Sequence, residues 1–208
     1  MNILTLDVET TTSNKGNPFD VTNKLVMVGL KWLDESFPYT YDYQKDLKDS
    51  LQNAVNHADL LVGFNIKFDL HWLRRAGIDF SGKRIWDCQI AEFILNNQTT
   101  PYPSLDQAAE KYGFEKKLDI VKTEYWDKGI NTDQIPTLIL SEYLTKDLEL
   151  TEQVYLKQKA LFSTLAADKY PLFKLQCMDL LVLEEMEWNG IMFDTKAALE
   201  KAAEIQKE

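Results

Sequence analysis

Three short stretches of this chain carry acids at spacings that could hold a metal ion. The first is Leu6-Asp7-Val8-Glu9-Thr10. On a β-strand, residues i and i+2 face the same way, so Asp7 and Glu9 would project together while Leu6 and Val8 turn to a core. Two carboxylates side by side repel unless a cation lies between them, and donors that are all oxygen suit Mg²⁺ or Mn²⁺. The second stretch is Asn65-Ile66-Lys67-Phe68-Asp69, where an apolar run hands over to a helical pattern. Asn65 is placed to cap that helix and Asp69 lies one turn further on. The third is Tyr143-Leu144-Thr145-Lys146-Asp147, whose first and last residues share a helix face. Leu140, Leu144, Leu148 and Leu150 put that pair near a buried edge, where an aspartate needs a partner.

Taken singly, each stretch also has an ordinary reading: exposed acids at a strand end, a helix cap with a first-turn acid, a surface acid beside a core tyrosine. Taken together, four acids on three elements could hold two divalent ions roughly 4 Å apart. That is apparatus for in-line attack by water on a phosphodiester, with the Tyr143 hydroxyl orienting the water by hydrogen bonding.

The elements that must position these residues follow from periodicity. Ile3 to Val8, Leu25 to Trp32 and Phe37 to Tyr43 read as strands of an antiparallel meander, with a Thr, Asn, Gly and Pro-rich loop over 10–24. A helical pattern follows through Leu47, Leu51, Ala54 and Val55. Asp59 to Phe64 reads as a buried strand and Phe68 to Ala76 as a helix closed by Gly77. Arg84 to Asp87 is a fifth strand and Gln89 to Leu95 a helix. After a loop over 96–103, Ser104 caps a helix ending at Gly113. Residues 114–133 show little periodicity. Helices are expected over Thr137 to Gln158, Tyr170 to Trp188, and Thr195 to Glu208, the last without a cap. The fold class is therefore α/β: a mixed five-stranded sheet flanked by helices, with a C-terminal helical extension.

Composition narrows the function. The 208 residues hold 33 acidic and 23 basic side chains, a formal charge of −10, so the chain lacks the basic surface of a general duplex binder. If it handles nucleic acid, it does so at a small site with metal ions neutralising its carboxylates. The two cysteines, Cys88 and Cys177, have no metal or redox spacing and read as reduced core thiols. The two histidines, His57 and His71, lack ligand spacing, and no glycine-rich phosphate loop is present. The start, MNILTLDVE, does not resemble a signal peptide, and no apolar run approaches the roughly 20 residues of a membrane span, so the expectation is a cytoplasmic protein with no membrane partner.

In order and spacing, Asp7-x-Glu9, Asn65-x-x-x-Asp69 and Tyr143-x-x-x-Asp147 resemble the three motifs of the DEDD 3′–5′ exonucleases, whose fold is ribonuclease-H-like. The tyrosine subclass is the match; the histidine subclass would have His where Glu142 stands. Ala58 to Gly63, Ile85-Trp86-Asp87-Cys88, and Ser104-Leu105 with Lys111-Tyr112-Gly113 are also similar to that family. Leu183-Glu184-Glu185-Met186-Glu187-Trp188-Asn189-Gly190-Ile191 resembles the entry into the polymerase region of family A DNA polymerases, and the loop after Glu9 resembles phage-type members.

The resemblance implies a proofreading exonuclease domain over 1–165 and the helical start of a polymerase domain over 166–208, located in host cytoplasm if phage-encoded. It implies a first ion on Asp7, Glu9 and Asp147, and a second bridged by Asp7 with Asp69 nearby through water. Thr10, Asn65 and Phe68 match positions that touch the 3′-terminal nucleotide. The implied partners are a single-stranded DNA 3′ end and the remainder of the polymerase; the implied products are nucleoside 5′-monophosphates. A ribonuclease-D-like enzyme acting on RNA, and an inactive nucleic-acid-binding or scaffolding module, are the alternatives. Asp87 reads as a structural acid near the site. Lys67, His71, Arg74, Arg75, Lys83 and Arg84 read either as a single-strand path or as a solvated face. Trp32, Trp72, Trp86, Trp126 and Trp188 read mostly as core.

Overall fold

The computed structural model describes residues 1–43, 47–99, 101–115 and 120–206. Thr100 in the loop over 96–103, residues 116–119 in the aperiodic stretch, and the last two residues of the final expected helix lie outside the described residues. Five strands form one sheet: β1 (Ile3–Thr10), β2 (Leu25–Trp32), β3 (Tyr39–Asp42), β4 (Leu60–Gly63) and β5 (Arg84–Asp87), in the order β3-β2-β1-β4-β5. The meander is borne out, because β1 pairs antiparallel with β2 and β2 with β3. The pairs β1–β4 and β4–β5 are parallel, so the sheet is mixed. Strand β1 runs two residues further than its apolar pattern predicts, through Glu9 and Thr10, because β2 continues to pair with it there across an irregularity between those two residues.

The helices are α1 (Lys48–His57), α2 (Ile66–Arg75), α3 (Cys88–Leu95), α4 (Leu105–Tyr112), α5 (Ile120–Glu124), α6 (Thr137–Thr164), α7 (Tyr170–Asn189) and α8 (Thr195–Ile205). Helix α2 begins two residues earlier than expected and ends as predicted on Gly77, whose backbone at φ +77 is left-handed. Ser104 caps α4 in a reciprocal capping box with Gln107. Asp194 caps α8 through the Ala197 N–H. None of these helices is long and apolar enough to cross a membrane.

Helix α6 lies against β1, β2, β3 and β4. Gly29 makes that approach possible. It sits opposite Asp7 in the β1–β2 register, and a Cβ built on it would fall 2.6 Å from Leu148 Cδ1 and 2.8 Å from Leu144 Cγ. Two residues along, the buried Lys31 ammonium pairs with Glu152 of α6 at 2.7 Å. Its partner on β1 is Thr5, so Thr5, Asp7 and Glu9 share the sheet face that α6 covers, while Leu4, Leu6 and Val8 join the main core on the other. Leu144 and Leu148 are fully buried, each contributing about 1.5–3 kcal/mol.

Phe173, Cys177 and Leu180 of α7 belong to the same core cluster as Trp86 of β5 and Phe162 of α6. Residues 170–189 therefore pack into the core built by the residues before them. Both cysteines are free and buried, as expected. Trp72 and Trp86 are core, while Trp188 is half-buried. The contact between Gly29 and α6 gives a direct test. Gly29→Ala should lose about 1–3 kcal/mol of stability, because the crowded atoms belong to a helix pinned on both sides. Chemical denaturation would measure it, and an unchanged midpoint would mean that α6 is not seated on this glycine.

Candidate active site

The end of β1 lies in a gap. Pairing between β1 and β4 stops at Thr5↔Val62, so beyond it the two parallel strands part and β1 has free backbone groups on that side. The Val8 N–H is one of them. Asp69 Oδ1, from the first turn of α2, accepts it at 3.0 Å, and Asp7 Oδ1 lies at the same distance. A buried N–H needs such a partner, and this one brings Asp69 to the strand that carries Asp7 and Glu9.

Asp147 comes from α6 on the covered face. One carboxylate oxygen from each of Asp7, Glu9 and Asp147 lies within 4.8 Å of the others. Glu9 and Asp147 are buried and Asp7 is half-buried. Asp69 is 2% exposed and sits against Asp7. Its carboxyl is pushed well above the usual carboxylate range, first by burial and then by the Asp7 charge, with the Val8 N–H pulling the other way. A side-chain hydrogen bond with Asp7 acts in the same upward direction. The donors are all carboxylate oxygens, three of them convergent, which fits a hard divalent cation.

Tyr143 lies one turn before Asp147 on α6, half-buried, with its ring 5.8 Å from that of Trp126 in an edge-on contact. Thr10 is buried and its hydroxyl donates to the Thr11 carbonyl at 3.2 Å. Phe68 is half-buried next to Gly16: a Cβ on Gly16 would meet Thr10 Oγ1 at 2.7 Å and Phe68 Cζ at 3.3 Å. Gly16, at φ +69, thus joins two of the expected nucleotide-contacting residues, and its carbonyl accepts the Trp72 indole N–H at 3.1 Å. Sequence reading did not single out Gly16 or Gly29; a glycine's role as an empty space shows only once its neighbours are placed.

Asn65 departs from expectation. It holds the N-cap position of α2 but in a left-handed conformation, φ 59, and its side chain makes no cap bond. Asp87 takes the cap's place. Its Oδ2 accepts the Ile66 N–H at 2.9 Å, while its Oδ1 accepts the Gln89 and Ile90 N–H groups and caps α3. Burial pushes the Asp87 carboxyl up, against those backbone donors. The reading of Asp87 as a structural acid stands: it joins the starts of two helices.

The basic residues also differ from both expectations. Lys67, His71 and Arg74 pair with Glu184 and Glu187 of α7. Arg75 donates to the carbonyls of Pro18, Asp20, Val21 and Asn23, Lys83 to those of Asn56 and Ala58, and Arg84 to that of Asp59. These side chains are used to hold the chain together, because the loops and α7 present carbonyls and acids to them at short range.

Comparison with known proteins agrees with this architecture. A family model described as 3′–5′ exonuclease matches residues 1–160. The DNA polymerase DpoZ of Salmonella phage PMBT28 is 25% identical over 187 residues, 84% of this chain, and the chain spans only 29% of that protein's length. Among solved structures, Brucella melitensis NrnC with bound Mg²⁺ superposes with a TM-score of 0.68 at 12% identity, covering 93% of this chain and 90% of that one. The family B DNA polymerase of Pyrobaculum calidifontis gives 0.55 at 18% identity, covering 78% of this chain and 25% of that one. At such identities the likeness shows the fold, which is ribonuclease-H-like as expected.

The Asp69–Asp7 contact sets a pH dependence. A carboxyl raised in the folded state binds more protons there than in the unfolded chain, whose carboxylates titrate near 3.9. Metal-free stability should therefore fall as pH rises from that value through the raised one. Asp69→Asn keeps an acceptor for the Val8 N–H and a donor for Asp7 without the charge. At neutral pH its metal-free melting temperature should rise, by about 2–4 °C for each kcal/mol of relieved repulsion, with a flatter pH profile. Thermal melts across pH would check this; a lowered midpoint with the slope intact would contradict it.

Proposed function

The chain belongs to the 3′–5′ exonuclease family found in family A DNA polymerases, and from that premise we propose that it hydrolyses DNA from the 3′ end and proofreads for a polymerase. The observation that carries this reading is the convergence of Asp7, Glu9 and Asp147 within 4.8 Å, with Asp69 held against Asp7. In this reading Asp7, Glu9 and Asp147, with Asp69 beside Asp7, would hold the Mg²⁺ or Mn²⁺ ions. When bound, the ions supply a nucleophilic water near neutral pH and neutralise charge on the leaving oxygen.

The chain's own residues do the rest. Tyr143, steadied by Trp126, offers a hydroxyl that donates and accepts and so orients the attacking water. Thr10, Asn65 and Phe68 hold the terminal nucleotide, the first two by polar contact and Phe68 by its ring. Attack in line at phosphorus breaks the bond to the 3′ oxygen of the remaining strand, so the released nucleotide keeps a 5′-phosphate. The left-handed backbone of Asn65 turns its side chain away from the cap that Asp87 fills, which suits a role toward substrate.

The polymerase relative suggests the larger setting. We propose that 1–165 is the exonuclease and that 166–208 leads into a polymerase body, which would hold the duplex that this acidic chain does not. With a phage relative, host cytoplasm is the proposed location.

Hydrolysis of a 5′-labelled single-stranded DNA with Mg²⁺ tests the reading. The expected result is a ladder shortening from the 3′ end, lost on chelation. Asp7→Ala should lower the rate by about 10²–10⁴-fold, the worth of several kcal/mol of charge stabilisation. Tyr143→Phe should cost less, about 10–100-fold, by misplacing the water. Faster cutting of RNA of the same sequence would transfer the reading to a ribonuclease, and no ladder would favour a binding module.

A further inference from the structure

We infer that the C-terminal end of α7 is a positioning clamp for the acidic site: Glu184, Glu187 and Trp188 hold α2 and the loop after β1 where Asp69 can approach Asp7. The inference rests on the exonuclease reading, and it lies outside the 1–160 span of the family match.

Helix α2 has two working faces. Asp69 looks to β1. Lys67, His71 and Arg74, at i, i+4 and i+7, form a stripe on the opposite side, and α7 meets that stripe with residues of its own at i, i+3 and i+4. The Arg74 fork grips Glu184 with both oxygens, Nε at 2.8 Å and Nη2 at 2.6 Å. Lys67 Nζ reaches Glu187 at 2.6 Å. His71 Nε2 lies 2.9 Å from Glu187 Oε2, and its Nδ1 lies 3.2 Å from Glu184 Oε1, off the line of a hydrogen bond.

Trp188 extends the contact to the loop. Its ring stands 5.9 Å from Phe19, which also meets the His71 ring edge-on at 5.2 Å, and the Arg74 guanidinium lies over Trp188 at 5.8 Å. The same loop is gripped from α2 by Arg75 through four carbonyls and by Trp72 through Gly16. One end of one helix thus touches α2, which carries Asp69, and the loop that follows the strand carrying Asp7 and Glu9. The fourth acid, Asp147, is on α6, which a short turn over Ala167–Lys169 joins to α7.

The chemistry of the contact argues for position over mere adhesion. The Glu184 side chain is 0% exposed. An apolar residue there would bury itself without paying for charge desolvation, whereas a carboxylate in the Arg74 fork fixes the register of one helix on the other. Such fixing has a use here. Asp69 faces β1 through the Val8 N–H, and α7 lies against the opposite side of α2. A brace on that far side resists movement of α2 away from β1.

The test uses the full chain and Mn²⁺. Glu184→Gln should fold, yet its calorimetric Mn²⁺ affinity should fall roughly tenfold, the scale of lost support around metal ligands. Half-saturating Mn²⁺ for DNA hydrolysis should rise by the same factor while kcat at saturating Mn²⁺ changes little. Glu187→Gln, at a half-exposed position, provides the same reading should Glu184→Gln not fold. Arg74→Met with Glu184→Leu restores packing without the fork, and should recover the melting temperature but not the affinity. Unchanged Mn²⁺ affinity in the folded variants would overturn the clamp. Because affinity is read without turnover, a wild-type chain that binds Mn²⁺ but cuts nothing would reject the exonuclease reading alone.

Discussion

Like charge is the constraint around which this molecule is arranged. Asp7, Glu9 and Asp147 bring carboxylate oxygens within 4.8 Å of one another, and Asp69 is buried against Asp7. Left to themselves, such groups separate or take up protons. Here Asp69 keeps its place because the parting of β1 from β4 leaves the Val8 N–H in need of an acceptor. The hydrogen bond and the repulsion act on the same carboxyl, and the structure is poised between them. A divalent cation would relieve the repulsion and leave the hydrogen bond.

Much of the remaining architecture can be understood as support for that arrangement. Gly29 lets α6 lie close to the sheet, and the Lys31–Glu152 pair fixes it there, so that Asp147 meets β1. Asp87 ties the start of α2 to the start of α3, which sets where Asp69 can reach. The acids and cations of α2 and α7 close the far side. Breaking one partner of a buried pair costs about 3–5 kcal/mol in other proteins, so Lys31–Glu152 is a strong support, while the part-exposed Lys67–Glu187 and Arg74–Glu184 pairs act mainly by direction. The site is therefore held by groups from both ends of the chain.

The chemistry was more legible in the sequence than its supports. The strand bearing Asp7 and Glu9 shows in its alternation, and the helices bearing Asp69 and Tyr143 with Asp147 show in their i, i+4 spacing. Strands β2 and β5 match their apolar runs, and Ser104 and Gly77 mark their helix ends by local capping rules that need no tertiary context. Other features depend on partners far along the chain. The Asn65 side chain reads as a cap because its position is right, but its backbone is left-handed and Asp87, 22 residues on, accepts the first N–H of the helix. The basic stripe on α2 reads as a single-strand path or a solvated face because its counterions, Glu184 and Glu187, lie more than 100 residues away. Gly16 and Gly29 act by what they leave empty, which no local pattern reveals.

The four carboxylates form one site for a divalent ion, and binding there opposes the raised proton affinity that burial and the Asp7 charge give Asp69. Calorimetric titration of the metal-free chain with Mn²⁺ at neutral pH, in buffers of differing ionisation enthalpy, measures binding and proton release together. The account predicts saturable binding that expels a proton, with the release lost in Asp69→Asn. Saturable binding with no proton release in the wild-type chain, or no binding at all, would contradict it.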